Sequence, residues 1–193
     1  MDTNKSAMNK NITTDELANL TKISDVDNYI STLDENLVIS TANETHVKEI
    51  AELWANLASI QQLNAPERYD FKCEKKDWHE FVLHKLFKKH NLLLVAHNKD
   101  EYEVKGFLYL QTITLPSSEF ILKGVIEDIY TKPQYRREGI ASKLLDVAMK
   151  WAQTQNIKQV DLISITKAKD LLEFYLKYIK KTKTEINFDL VTF

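Results

Sequence analysis

Four cations, Lys132, Arg136, Arg137 and Lys143, surround Gly139, one of only three glycines in 193 residues. A chain this poor in glycine places one where the backbone needs positive φ or where another group must come close. Upstream, Gly124 to Thr131 is rich in β-branched and aromatic residues, and Pro133 ends the run by withholding a ladder donor. Downstream, Ile140, Leu144, Leu145, Ala148, Trp151 and Ala152 fall on one helical stripe. A strand that runs through a short basic loop into a helix leaves the first helical amides unpaired and facing the loop. Those amides, the positive end of the helix dipole and four nearby cations would hold a diphosphate. The competing reading is an ordinary strand-turn-helix connection with solvated arginines. The Gly-Lys-Ser/Thr ending of a P-loop and the three spaced glycines of a dinucleotide fingerprint are both missing.

Other residues could carry chemistry. Glu127 and Asp128 sit side by side near the end of the strand, where alternation sends only one of them into a cleft unless a bulge intervenes. A solvated carboxylate pair is the plain alternative. Leu172, Tyr175, Leu176 and Ile179 have the spacing of a buried helical stripe. Histidines 46, 79, 84, 90 and 97 show no metal-ligand spacing, so no metal is expected. Cys73 is the only cysteine, which excludes an internal disulfide and a cysteine-based metal site and fits a reducing, cytoplasmic setting. Lys177, Lys180, Lys181 and Lys183 read as a solvated helix terminus, or as a partner for a further phosphate.

The elements that must position these residues follow from periodicity. LVISTA at 37 to 42 predicts a strand, and Asn43 to Gln61 predicts a helix with Val47, Ile50, Ala51, Trp54, Leu57 and Ala58 on its buried face. A break near Asn64 to Pro66 leads to a helix over about 76 to 90, with Trp78, Phe81, Val82, Lys85 and Leu86 at helical spacing. LLLVAH, VKGFLYLQTITL and FILKGVIEDIYT predict three successive antiparallel strands. A helix over 140 to 155, a strand over 159 to 165, a helix through LLEFYLKYI and a closing strand in TEINFDLVTF complete the order. The strand, loop, helix and next strand form a β-α-β unit with parallel flanking strands, so the sheet is mixed.

Length and composition suit one substantial domain: 44% of the residues are hydrophobic and 28% charged. A net charge of −2 provides no global field for nucleic acid or an anionic membrane, and neither is expected as a partner. The apolar runs are too short to cross a bilayer, and the polar amino terminus lacks the apolar core of a signal peptide. Residues 1–35 read as an extension, disordered at first, with capping-box spacing at Thr13 and Glu16 and at Ser24 and Asp27. Short helices there could cover the core or a second copy of the chain, which would make a homodimer. Residues 36–193 form the domain proper.

Arg136, with glycine at the third and alanine at the fifth place after it, resembles the pyrophosphate loop of the GCN5-related N-acetyltransferase (GNAT) family. IEDIYTKPQYRREGIASKLL resembles that family's fourth strand and third helix, and Phe174-Tyr175 resembles its fourth helix. ELWANLASIQQLNAPERYDF and KKDWHEFVLHKL are similar to the first two helices of small-amine and amino-terminal acetyltransferases, so the likeness runs from about residue 36 to 193. It implies an α/β (α+β) fold with a mixed, mostly antiparallel central sheet flanked by helices. It also implies that the strands bearing Ile129 and Ile163 splay apart, leaving a cleft for the pantetheine arm of acetyl-CoA.

The implied activity is acetyl transfer from acetyl-CoA to a primary amine by direct attack in a ternary complex. The acceptor would be a small amine, polyamine, amino acid, antibiotic or protein amine. By resemblance, backbone around Ile129 meets the thioester, and Tyr130 and Thr131 meet pantetheine. The backbone of Arg137, Glu138, Gly139, Ile140, Ala141 and Ser142 holds the diphosphate, with the Arg136 side chain helping. Tyr175 would protonate the coenzyme A thiolate, Glu127 would act as base, and Asp128 would receive the cationic acceptor. Ala168 stands where the family has an asparagine, a Gly-Phe after the helix is replaced by Ile179 and Lys180, and only 13 residues follow Lys180. Those departures also suit a second reading, a catalytically degenerate module that keeps the fold to bind coenzyme A or a partner.

Overall fold

Strands β2 (Leu92–Asn98) and β3 (Val104–Leu115) are apolar along most of their length because both of their faces are covered. Leu92, Leu94, Ala96, Leu108 and Leu110 point into one core, and Leu93, Val95, Phe107 and Tyr109 into the other. The computed structural model describes residues 36–69, 75–88, 90–99, 103–115, 121–165, 167–181 and 187–192. The helices expected over 13–33 lie outside them.

The chain enters through β1 (Leu37–Thr41) and a 3-10 turn at Glu44–His46, capped by Asn43, into α1 (Val47–Asn64) and α2 (Lys75–Leu86). After β2 and β3 come β4 (Ile121–Thr131), a 3-10 turn at Pro133–Tyr135, α3 (Ile140–Thr154), β5 (Gln159–Ser164), α4 (Lys169–Lys181) and β6 (Asn187–Thr192). The described strands lie in sequence order in one six-stranded sheet. Pairing is antiparallel from β1 to β4 and parallel from β4 to β6. The mixed, mostly antiparallel sheet and the β-α-β unit are as the sequence predicts. Among the described residues the last strand, β6, runs parallel to β5, so β5, α4 and β6 make a second β-α-β unit.

Helices α1 and α2 cover one face of the sheet, and α3 and α4 the other. The predicted stripe of α3 is buried in full, joined by Val147 and Met149. Each buried Ile, Leu, Val or Met among them contributes roughly 1.5–3 kcal/mol by leaving water. Tyr178 of α4 donates its hydroxyl to Asp146 of α3 over 2.9 Å, which ties the two helices together. Helix α2 ends at Leu86, short of the expected residue 90; His90 there has φ 65°, a left-handed conformation that a helix cannot continue through.

Gly106 pairs with Thr131 where β3 meets the end of β4, and a Cβ on it would lie 2.6 Å from the Tyr130 carbonyl oxygen. Gly106→Ala must push the two strands apart. It is expected to cost about 1–3 kcal/mol in urea unfolding; an unchanged midpoint would show that the strands yield freely there.

Candidate active site

The anion loop has the backbone that its sequence asks for. Gly139 caps α3 with φ 81°, and Arg137 is also left-handed at φ 71°. The first helical bond runs from the Lys143 amide to the Gly139 carbonyl over 3.0 Å. Among the described residues nothing accepts from the amides of Gly139, Ile140, Ala141 and Ser142, and Gly139 offers no side-chain cap. A Cβ at Gly139 would meet no atom within 4 Å, so the space over these amides is open. Upstream, Glu103 accepts from Lys132 Nζ at 2.8 Å and from the Tyr135 hydroxyl at 2.7 Å, contacts that hold its carboxyl below the usual range. Lys132 is therefore a strut for the loop, while Arg136 turns back to donate to the Thr131 carbonyl at 3.2 Å.

Strand β4 carries one residue more than its partner. Tyr109 pairs with Asp128 and the next residue, Leu110, with Ile126, so Glu127 is a bulge. The bulge breaks the alternation and turns both carboxylates toward α1 and α2. Asp128 accepts from Trp54 Nε1 at 2.9 Å and Gln61 Nε2 at 3.1 Å. Glu127 pairs with Lys85 Nζ at 2.9 Å, and that ammonium also lies 4.4 Å from the Tyr109 ring centre. Burial pushes the Asp128 carboxyl up, against the pull of the Trp54 and Gln61 donors. Tyr109 is pushed up to about 12 by burial and by the Glu127 charge.

The two carboxylates stand in an open cleft of about 390 Å³, walled by Trp54, Trp78, Phe81, Tyr69 and Ile163. Ile163 belongs to β5, so the cleft reaches the gap between β4 and β5. Their ladder ends at Ile126 and Leu162, although β4 continues to Thr131 and β5 to Ser164. Lys123 and Asp161, 2.7 Å apart, clamp the paired end. On the opposite face of the sheet, beside α3, Tyr175 is buried; burial raises its pKa and the Asp128 charge raises it further. The phenol therefore stays protonated at neutral pH and lies within electrostatic reach of Asp128 through the sheet.

Ile129, Tyr130 and Thr131 lie on the end of β4 beyond its ladder with β5, Arg136 to Ser142 follow that end into the start of α3, the carboxylate pair faces α1 and α2, and Tyr175 is buried on the opposite face. Thr131 Oγ1, buried without a hydrogen-bond partner among the described residues, marks the same strand end. Several lining residues escaped the sequence reading. Trp54 reads as core, and it is buried, but its indole N–H also anchors Asp128. Gln61 continues the apolar stripe of α1, and Lys85 interrupts that of α2; a polar residue on a buried stripe is the signal that could have found both. No group of three or more His, Cys, Asp or Glu placed to hold a metal ion occurs among the described residues.

The open loop amides, the interrupted ladder and the carboxylate cleft coincide with what comparison with known proteins returns. A sequence profile of the acetyltransferase (GNAT) family matches residues 54–178, and the chain belongs to that family. No curated protein sequence matches it. Among solved structures, a ribosomal-protein-alanine N-acetyltransferase from Brucella melitensis biovar Abortus 2308 superimposes with TM-score 0.57 at 20% identity, covering 73% of this chain and 89% of its own. An aminoglycoside acetyltransferase from an uncultured soil metagenomic sample gives 0.61 at 18%, covering 83% and 95%. A predicted acetyltransferase with acetyl-CoA from Clostridium acetobutylicum gives 0.55 at 18%, covering 72% and 88%. At such identities these likenesses establish the shared fold.

The raised Asp128 pKa has a consequence for stability. The native protein holds this proton more tightly than the unfolded chain, so stability falls as pH climbs from the ordinary 3.8 through the raised value. Asp128→Asn lacks that loss. Its stability relative to the parent is expected to rise across the window and level off above it, read by urea unfolding at stepped pH; a flat difference would mean an ordinary aspartate.

Proposed function

We propose that the protein transfers the acetyl group of acetyl-CoA to a primary amine, with both substrates bound together on residues 36–193 and with residues 1–35 as an appended segment. The observation that carries this reading is the meeting of the acidic cleft with the point where the ladder between β4 and β5 stops, with a buried tyrosine on the opposite face. The residues fit the donor substrate. Open amides at Gly139 to Ser142 suit its diphosphate, Arg136 and Arg137 add charge, and the strand end at Ile129, Tyr130 and Thr131 presents hydrogen-bonding groups to a linear arm.

Acetyl-CoA supplies an acyl group activated as a thioester. On the acceptor side, an amine arrives as ammonium and must lose a proton before it can attack. Asp128 is placed to receive the ammonium, and its raised proton affinity suits it to take the proton. Glu127, the expected base, is engaged by Lys85 at 2.9 Å, whereas both partners of Asp128 are neutral donors. We therefore assign the proton to Asp128 and give Glu127 the task of holding Lys85 in the cleft wall. A backbone N–H near Ile129 would steady charge on the thioester oxygen, and Tyr175 would give its proton to the leaving sulfur. A cytoplasmic setting accords with the reading; among the described residues no helix is long and apolar enough to cross a membrane.

Titration calorimetry with acetyl-CoA and thiol release over an amine panel test the proposal. Binding with turnover is expected; binding without turnover would support the degenerate module, and no binding at millimolar acetyl-CoA would end both readings. Tyr175→Phe is expected to lower kcat by roughly 10²–10⁴ with little change in acetyl-CoA affinity. Unaltered turnover would return Tyr175 to the core. Gly139→Ala puts a side chain over the open amides and forces an L-residue into left-handed backbone, which costs about 1–2 kcal/mol of stability. It is expected to weaken acetyl-CoA binding more than it changes the KM for the amine.

A further inference from the structure

The acceptor cleft carries enough chemistry to narrow what it takes. Four ionisable side chains line it: Arg68, Asp77, Glu127 and Asp128. Lys85, from α2, lies on Glu127 at 2.9 Å. Among the described residues these are three carboxylates and two cations, a single net negative charge. Asp128 is the place for an ammonium, because the Trp54 and Gln61 donors occupy one direction on each of its oxygens and leave further lone pairs free.

The remaining wall is apolar and rigid. Trp54 packs edge-on against Phe81 with ring centres 4.9 Å apart and lies 4.7 Å from Phe107, and Phe81 in turn meets Trp78 at 5.7 Å. Tyr69, Ala58 and Ile163 complete the enclosure. Interlocked rings of this kind lose little freedom when a ligand arrives, so apolar surface placed on them is removed from water at small entropic cost. A second ammonium would find the Glu127 and Asp77 carboxylates both already engaged and Arg68 at the same cleft.

Resting on the acetyltransferase reading above, we infer that the acceptor is a small monoamine with an aromatic or branched apolar body, its ammonium on Asp128 and its body against Trp54, Trp78 and Phe81. Polyamines are poor acceptors on this arrangement. So are amines whose bodies are polar, such as aminoglycosides, since their hydroxyls would be laid against the Trp54, Phe81 and Ile163 surfaces. The step balances within the site: the ammonium gives one proton to Asp128, the neutral nitrogen bonds to the acyl carbon as the carbon–sulfur bond breaks, the thiolate takes the Tyr175 proton, and the second proton shed by the nitrogen restores the Tyr175 phenol while Asp128 releases its own to solvent.

The test is acetyl-CoA-dependent thiol release with 2-phenylethylamine, isoamylamine, ethylamine, spermidine, kanamycin and a short peptide with a free amino terminus. 2-Phenylethylamine or isoamylamine is expected to exceed ethylamine and spermidine by at least tenfold in kcat/KM. Trp78→Ala is expected to lower that value for 2-phenylethylamine by roughly 10–200-fold, the scale of a lost apolar contact in a pocket, while ethylamine changes less than threefold. Equal losses for both amines would show a structural effect and overturn the inference, as would preference for spermidine, kanamycin or the peptide. Thiol release with one of those three would leave the acetyltransferase reading standing. Silence across the whole panel despite tight acetyl-CoA binding would remove both.

Discussion

One extra residue in β4 determines where this molecule can do chemistry. Up to Ile126 the strand pairs with β3 on one side and β5 on the other; beyond the Glu127 bulge it keeps β3 and loses β5. A bulge adds local twist and bends the bulged strand, and here the bend carries the end of β4 away from its parallel neighbour. The Lys123–Asp161 pair holds the other end shut. The sheet is therefore continuous for folding and open for function, and the opening costs only the ladder bonds past Leu162. Without the bulge, alternation would put Glu127 and Asp128 on opposite faces, and the cleft would keep one carboxylate.

The second constraint is electrostatic. Carboxylates taken out of water need partners, and the two here find different ones. Glu127 receives a full cation, Lys85, itself steadied between the Tyr109 and Phe81 rings. Asp128 receives neutral donors from Trp54 and Gln61, and their pull does not offset its burial, which raises its proton affinity. Adjacent carboxylates thus come to differ in their surroundings through what α1 and α2 place opposite them.

Much of this was legible in the chain. The β-α-β unit around Arg136 to Ser142 could be read because its signals are local: β-branched residues, a proline, a lone glycine and a clean helical stripe lie within thirty positions. The mixed sheet followed from it. The bulge was not legible, because IEDIY has the same composition with or without a slip in register, and the slip is decided by packing against Tyr109 and α1. The roles of Trp54, Gln61 and Lys85 were hidden for a related reason. Their partners lie 74, 67 and 42 positions away, and no periodicity within a helix reports what stands across a cleft.

The two faces of the sheet divide the work, and the gap is what joins them. A helix N-terminus suited to phosphates lies with α3 on one face, whereas an aromatic cleft suited to an amine is built by α1 and α2 on the other. Two substrates held on opposite sides of a closed sheet could never meet, since a continuous ladder is impassable to side chains and ligands alike. On the proposed reading, opening the sheet at a single edge-to-edge junction would let a long, thin donor enter from the α3 side and a compact acceptor from the α1 side, with backbone groups of β4 at the meeting point. Asp128 and Tyr175 would then stand on either side of the reacting atoms, one with raised affinity for a proton and the other still holding its own.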